Sequence, residues 1–391
     1  MPIGIYISVP FCRSKCSYCN FASGVFARER VAGYVERVCT DIQRARETAS
    51  SMGSVLDRRA DSVYFGGGTP TTMTPGQIRR IFVALRQEFE IDPAAEITVE
   101  CAPGSLAPEM LKSLVGAGVN RVSLGVQSFV DAEAASVGRL HTRAAVLDDI
   151  ARLRGAGIAN INIDLIAGLP HQTEASWHVS LEETIAAGVP HASVYMLEVD
   201  EDSRLGRELI AGGTRYHAHF VPNEDAVADL YEQACDHLNT AGISQYEISN
   251  FARAGAESRH NLKYWTRQPY IGFGLDAHSM LEAPGGAVRY STPDSLEEFM
   301  AGAPLNRNTV SPQAALEEAF FLGLRLTRGV NLKAVSSRLG VHAERVFGNV
   351  LRELQVSGML AREGDTIRLT SRGRLLSNDV FERFIGVACI L

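Results

Sequence analysis

Ile3-Gly-Ile-Tyr-Ile-Ser-Val9-Pro-Phe-Cys12-Arg-Ser-Lys-Cys16-Ser-Tyr-Cys19 decides how the rest of the chain is read. Ile3 to Val9 is an apolar run rich in β-branched residues and predicts a strand. Three of the seven cysteines follow it within eight residues, whereas Cys39, Cys101, Cys235 and Cys389 stand singly and read as buried apolar side chains.

The strand is the first of a series. Outward from it, helical patterns at Arg30 to Thr48, Pro75 to Glu90, Pro108 to Gly116, Thr142 to Ala156 and Ala175 to Ala187 alternate with strand-like runs. Those runs are Ser62 to Phe65, Ile97 to Cys101, Arg121 to Leu124, Ile158 to Ile166 and Ala192 to Leu197. Thr74 as N-cap and Pro75 at the first helical position open the second helix. Six β–α units without hairpin signals predict an α/β fold with a parallel sheet and right-handed crossovers. Six is fewer than the eight units of a closed barrel, so the expectation is a partial (β/α)6 barrel, with ligands bound beyond the C-terminal ends of its strands.

The expected division is 1–200 for this barrel, 201–305 for a mixed α+β extension with one clear helix (Asp225 to Leu238), and 306–391 for a C-terminal domain. In the last, helices at Pro312 to Leu326, Leu332 to Leu339 and Ala343 to Val356 precede a hairpin pairing Met359–Leu360 with Thr366–Leu369, which predicts a small winged-helix-like unit. Residues 331–378 hold eight Lys/Arg against four Asp/Glu, a net +4, which keeps DNA contact open beside the plainer reading of a solvated scaffold face.

A net charge of −7 argues against nucleic acid as the main partner. With no signal-peptide pattern and no run near the ~20 apolar residues of a membrane span, a cytoplasmic chain is expected. The apolar octet Phe384 to Leu391 reads as the end of a helix.

In that compartment the cysteine trio reads as metal chemistry rather than disulfides. Thiolates at this spacing can converge on one face of a 4Fe-4S cubane. Three ligands leave one iron open, and the amino and carboxylate groups of S-adenosylmethionine (SAM) can chelate it. A reduced cluster can then pass an electron to the sulfonium and break a carbon–sulfur bond. Structural zinc, with His141 or Cys101 as fourth ligand, and buried free thiols are the alternatives.

Gly66-Gly67-Gly68-Thr69-Pro70 follows the second strand, where side-chain-free backbone admits a ligand closely; a flexible turn is the alternative. Glu100, Gln127 and Asp164 end or follow the next three strands, and Arg139 lies on the loop after the fourth. Carboxylates among apolar strand residues need partners, so Glu100 and Asp164 bind a ligand or pair with Arg139 or Arg121.

Cys12-Arg-Ser-Lys-Cys16-Ser-Tyr18-Cys19, with an aromatic before its last cysteine, resembles the radical SAM signature. Tyr6, six residues before Cys12, is similar to a tyrosine of oxygen-independent coproporphyrinogen III oxidases and their relatives, and the likeness runs over nearly the whole chain. The resemblance implies a cluster on Cys12, Cys16 and Cys19. It also implies SAM contacts from Tyr6, Gly67, Gly68, Thr69 and Glu100, with Gln127, Arg139 and Asp164 assigned to a second SAM molecule.

His260-Asn261-Leu-Lys-Tyr264-Trp265 resembles the haem-associated motif of HemW-type haem chaperones. His260 offers an axial nitrogen and Tyr264 and Trp265 offer flat faces; a structural histidine is the bland alternative. The segment Gly272 to Ser279 resembles a glycine-rich stretch of the same proteins, with Asp276 where glycine is more usual. Phe21 stands where the oxidases carry a further cysteine, and the expectation is of no N-terminal arm over the pocket. The implied function is a haem chaperone with a SAM-coordinated cluster, serving haem-accepting proteins that include membrane-bound respiratory ones. An electron donor for the cluster and a homodimer are further implied partners. A tetrapyrrole-directed radical SAM oxidase, a radical SAM methyltransferase and a redox-sensing regulator are the alternatives.

Overall fold

The computed structural model describes residues 1–386. Strands β1 (Ile3–Val9), β2 (Arg59–Gly67), β3 (Glu90–Cys101), β4 (Arg121–Gln127), β5 (Asn160–Ala167) and β6 (His191–Met196) lie side by side in chain order and pair in parallel. Between them run α1 (Arg28–Gln43), α2 (Ala45–Ser51), α3 (Pro75–Glu88), α4 (Pro108–Gly116), α5 (Asp131–Ser136), α6 (Arg143–Gly155) and α7 (Glu174–Ala186). The expected partial (β/α)6 barrel is present. At the start of α3, Gln77 N–H donates to Thr74 Oγ1 and Thr74 N–H to Gln77 Oε1, a reciprocal cap. The single helix expected over Arg30 to Thr48 is instead two, broken at Arg44.

Side chains alternate along each barrel strand. Ile3, Ile5, Ile7 and Val9 of β1 are buried with Val63 and Phe65 of β2 and with the helices outside. The intervening residues face the lumen, and the register lines them up: Tyr6 beside Tyr64, Tyr64 beside Thr98, Glu100 beside Ser123, Ser123 beside Asn162, Asp164 beside Ser193. The lumen is therefore polar. Asn162 Nδ2 donates to Ser123 Oγ at 2.7 Å and to Asp164 Oδ1 at 2.7 Å, and Asn162 Oδ1 lies 2.6 Å from His191 Nδ1. Satisfied polar groups fix side-chain positions where an apolar filling would only exclude water.

The extension adds α8 (Arg204–Ile210), α9 (Glu224–Thr240), β7 (Ser244–Gln245), β8 (Asn250–Ala252), α10 (Arg259–Trp265), β9 (Tyr270–Phe273), β10 (His278–Ala283), β11 (Gly286–Ser291), α11 (Leu296–Ala301) and β12 (Asn306–Val310). All of these strands join the barrel sheet, in the order β12-β11-β10-β9-β1-β2-β3-β4-β5-β6-β8-β7. Ile271, Phe273, Val288 and Phe299 share the barrel's hydrophobic core, so the extension packs as part of the barrel.

A second core, around Leu316, Phe320, Phe347, Leu351 and Ile367, belongs to the C-terminal unit. There α12 (Pro312–Phe321), α13 (Leu332–Leu339) and α14 (Ala343–Val356) pack with strands Val330–Asn331, Leu360–Glu363 and Thr366–Leu369, the last two forming the expected wing. Glu318 of α12 pairs with Arg267 at 2.7 Å and Arg289 at 3.0 Å, joining this unit to the extension. Phe384 is fully buried. The last helix ends at Glu382 and residues 383–386 form a turn, so the described start of the octet is not helical; residues 387–391, Cys389 among them, lie outside the described residues. Among the described residues no helix is long and apolar enough to cross a membrane.

Candidate cluster and SAM site at the barrel mouth

Cys12, Cys16 and Cys19 occupy the loop that leaves β1, and none of them is in a disulfide. The loop is braced from three sides. Cys12 N–H donates to Gly24 O at 2.9 Å, Ser17 N–H to Val137 O at 3.1 Å, and Leu205 N–H to Ser17 O at 2.8 Å. Arg204 donates to the Lys15 carbonyl. Burial pushes the Cys12 thiol up, against hydrogen bonding from Ser23 and Thr69.

The spacing of the sulfurs tests the zinc alternative. Thiolates about 2.3 Å from one zinc ion stand within roughly 4 Å of one another. Among the described residues, the trio whose donor atoms all fall within 4.8 Å of each other lies elsewhere, on α7 and α9, and the three cysteine sulfurs are not gathered that closely. Nor do the proposed fourth ligands serve: Cys101 is buried with its thiol 3.8 Å from Val99 O, and His141 Nε2 is 3.1 Å from Val126 O. Burial and the nearby Arg139 lower the His141 pKa to about 4. A cubane places each ligand on a different iron and does not require the sulfurs to meet at one ion.

The glycine segment after β2 lies against this loop. Gly68 N–H donates to Val9 O at 2.8 Å and Thr69 N–H to Phe11 O at 2.8 Å. A Cβ at Gly68 would stand 2.7 Å from Val9 O and 3.0 Å from Cys12 Sγ, and Gly67 holds a φ of 100°. These glycines are required by contact and by backbone, which removes the flexible-turn alternative. Thr69 Oγ1 lies 4.0 Å from Cys12 Sγ. A cleft of about 220 Å³ opens beside the loop, bordered by Cys16, Thr69, Ala102, Ser105, Arg139 and His141.

Glu100 and Asp164 stand in the lumen below. Tyr64 Oη donates to Glu100 Oε1 at 2.8 Å, and Ser123 Oγ donates to Asp164 Oδ2 at 2.9 Å. Among the described residues neither carboxylate forms an ion pair with Arg121 or Arg139, so the internal salt bridge does not occur. Arg139 instead donates to Gly125 O and, at 3.6 Å, to Cys16 Sγ. Burial and the neighbouring Asp164 push Glu100 up to about 7, and burial also raises Asp164, with Arg121 nearby opposing both shifts. Two carboxylates without a direct ion pair to Arg121 or Arg139, at the end of a polar lumen, suit a ligand that brings its own positive charge. Gln127 ends β4 with a φ of 69° where the pairing to β5 shifts register. Tyr6 stacks on Tyr64 at 6.1 Å between ring centres.

The haem-associated motif is placed differently from its expected role. It forms α10, which plugs the lumen from below: Glu96 accepts from Arg259 N–H at 2.9 Å and His260 N–H at 3.0 Å. His260 is 1% exposed; its Nδ1 lies 3.0 Å from Ser62 Oγ and its Nε2 2.8 Å from Tyr264 Oη. Both ring nitrogens are engaged, so this arrangement offers no free axial nitrogen. Tyr264 packs edge-on against Tyr270, and Arg325 covers the Trp265 ring at 4.3 Å, so neither ring is an open platform. Burial, with Lys263 nearby, lowers the His260 pKa to about 3. Its ring stacks on Tyr64 at 5.3 Å, which ties the floor to the Tyr64–Glu100 contact above. Ser62, Tyr64 and Glu96 carry no motif, but the alternation of their strands marks them as lumen residues.

A partial barrel with a three-cysteine loop after its first strand defines a radical SAM protein, and the Radical SAM superfamily model matches residues 6–183. The HemN C-terminal domain model matches residues 310–376. The chain belongs to the family of the haem chaperone HemW: it is 32% identical over 388 residues to that of Lactococcus lactis, with 98% of this chain and 97% of the relative covered. It is 33% identical to that of Bacillus subtilis, with 97% and 98% covered. The solved structure of coproporphyrinogen III oxidase (HemN) from Escherichia coli shares the fold, with a TM-score of 0.84 at 22% identity over 99% of this chain and 91% of that one.

Proposed function

We propose that this chain is a haem chaperone that binds haem and a SAM-coordinated 4Fe-4S cluster and delivers haem to acceptor proteins. The observation that carries the reading is likeness to named haem chaperones over 97–98% of the chain. In the proposal Cys12, Cys16 and Cys19 hold the cluster, and Gly67, Gly68, Thr69, Tyr6 and Glu100 cradle SAM. When bound, the cluster supplies one electron to a chelated sulfonium. The chain's own part is positional: Glu100 would accept a hydrogen bond from the ligand's amino group, Tyr64 fixes Glu100, and Arg139 steadies the Cys16 thiolate. Gln127 and Asp164, with Arg139, line the place for a second SAM. Haem-accepting respiratory proteins, an electron donor, a homodimer and a cytoplasmic setting complete the reading.

For haem, the proposal assigns the His260 nitrogen only in a conformation in which Tyr264 Oη has released Nε2. The test is anaerobic reconstitution with iron, SAM and haem binding measured separately, on wild type, Tyr264→Phe and His260→Ala. Tyr264→Phe frees the nitrogen and should tighten haem binding; His260→Ala should lose the axial-imidazole spectrum. Catalytic formation of protoporphyrinogen from coproporphyrinogen would overturn the chaperone reading. An unchanged haem spectrum in His260→Ala would overturn the ligand assignment alone.

A further inference from the structure

On the outer helical layer, away from the barrel mouth, three side chains converge that the cluster and SAM chemistry leave unused. His178 and Glu182 are one turn apart on α7, so they share a face. His178 Nε2 lies 3.9 Å from Glu182 Oε1, and the His178 ring centre is 5.0 Å from that of His237 on α9. One donor atom from each residue falls within 4.8 Å of the other two. We propose that His178, Glu182 and His237 form a site for a divalent transition-metal ion of the zinc class, which clamps α7 to α9.

The donor set suits that ion. Two imidazoles and a carboxylate are borderline ligands that zinc accepts in four-coordinate geometry, with the fourth position left to water. The tautomer is also set. His237 Nδ1 lies 2.8 Å from the Gln233 carbonyl oxygen, which can only accept, so the proton sits on Nδ1 and Nε2 keeps its lone pair. A backbone carbonyl on the far ring nitrogen is the usual support of a metal-bound histidine.

The two helices are already fixed in register. Trp177 Nε1 donates to Leu230 O at 2.7 Å and Gln233 Nε2 to Glu174 Oε1 at 3.2 Å, the tryptophan fully buried. Closing on an ion therefore needs side-chain rotation, not movement of backbone. Among the described residues Glu182 has no Lys or Arg partner competing for its carboxylate. Because α7 follows β5, which carries Asp164, the clamp braces the helix behind the barrel's fifth unit.

The test uses cluster-loaded protein, in which iron occupies the cysteines, titrated anaerobically with Co2+ alone and with Zn2+ alone. One equivalent is expected to bind. Cobalt should give the visible ligand-field absorption of a four-coordinate nitrogen–oxygen site, without added thiolate charge transfer, and bound metal should raise the Tm. His178→Ala and His237→Ala should each weaken binding roughly tenfold or more, with iron content and SAM binding unchanged. His178 is 54% exposed, so that variant keeps its packing and remains a fair test. Wild type binding no tighter than the double variant, or cobalt that shows only thiolate ligation, would overturn the site.

Discussion

Replacing Glu100 by Gln tests the electrostatics of the mouth most directly. Glu100 is buried, sees Asp164 across the lumen and has its pKa pushed from the usual 4.5 to about 7, against the opposing charge of Arg121. The folded chain therefore holds a proton that the unfolded chain releases. Stability from this group is complete below pH 4.5 and is lost as pH rises through about 7. At 1.36 kcal/mol per pH unit the loss is at most about 3 kcal/mol. Glutamine is neutral at every pH and avoids it. Urea unfolding of cluster-free protein should find Glu100→Gln and wild type close at pH 4.5 and the variant more stable above pH 7, by up to that amount. In the proposed site the same variant loses a charge-assisted hydrogen bond from the SAM amino group to the carboxylate, worth about 2 kcal/mol, so SAM should bind the cluster-loaded variant roughly thirtyfold more weakly by calorimetry. Opposite signs mark a carboxylate kept for its ligand rather than for the fold. A stability difference independent of pH would refute the pKa argument; unchanged SAM affinity would refute the contact.

Gly68→Ala places a methyl 2.7 Å from Val9 O and 3.0 Å from Cys12 Sγ, so the cysteine loop must shift; iron retained after reconstitution should fall, measured per chain. Cys16→Ala should abolish both the cluster's visible absorption and SAM binding while leaving the far-ultraviolet circular dichroism intact. Acid should destabilise the chain early: His260 and His141, with pKa values lowered to about 3 and 4 by burial, stay neutral in the fold while an unfolded chain takes up their protons. Stability from these two is complete above pH 6.5 and falls as pH drops toward 4, and His141→Gln should flatten that fall in urea titrations.

The barrel was legible because each strand's outer face is apolar and several helices carry their own punctuation. Thr74-Pro75 marks a helix start from sequence, and the reciprocal cap is there. The extension was harder for a physical reason. Tyr270–Phe273 is short and its parallel partner is β1, at the other end of the sequence, so local pattern does not reveal that it carries the chain-neighbour strands β10 to β12 onto the barrel sheet. Arg44 interrupts a helical pattern that composition alone carries through to Thr48.

The site divides along the same line. Cysteine spacing and glycine runs are local, and Cys12, Gly68 and Thr69 meet as the order of strands requires. Glu100 and Asp164 were found by a rule of thumb, that buried strand carboxylates need partners, but the rule left open whether the partner was an arginine. Only the three-dimensional arrangement shows Arg139 turned to Gly125 and Cys16 instead. His260 marks where local reading ends. A histidine four residues before an aromatic pair serves equally as a haem ligand or as a helix plug, and the choice depends on residues nearly 200 positions away. Ser62 takes Nδ1, Tyr264 takes Nε2, and Tyr64 stacks on the ring. Since Tyr64 also donates to Glu100, withdrawing His260 toward a cargo removes a packing neighbour of the residue that orients the SAM carboxylate partner. In the proposed reading cargo and cofactor would therefore meet through one tyrosine, a link that becomes visible only when α10 is seen inside the barrel.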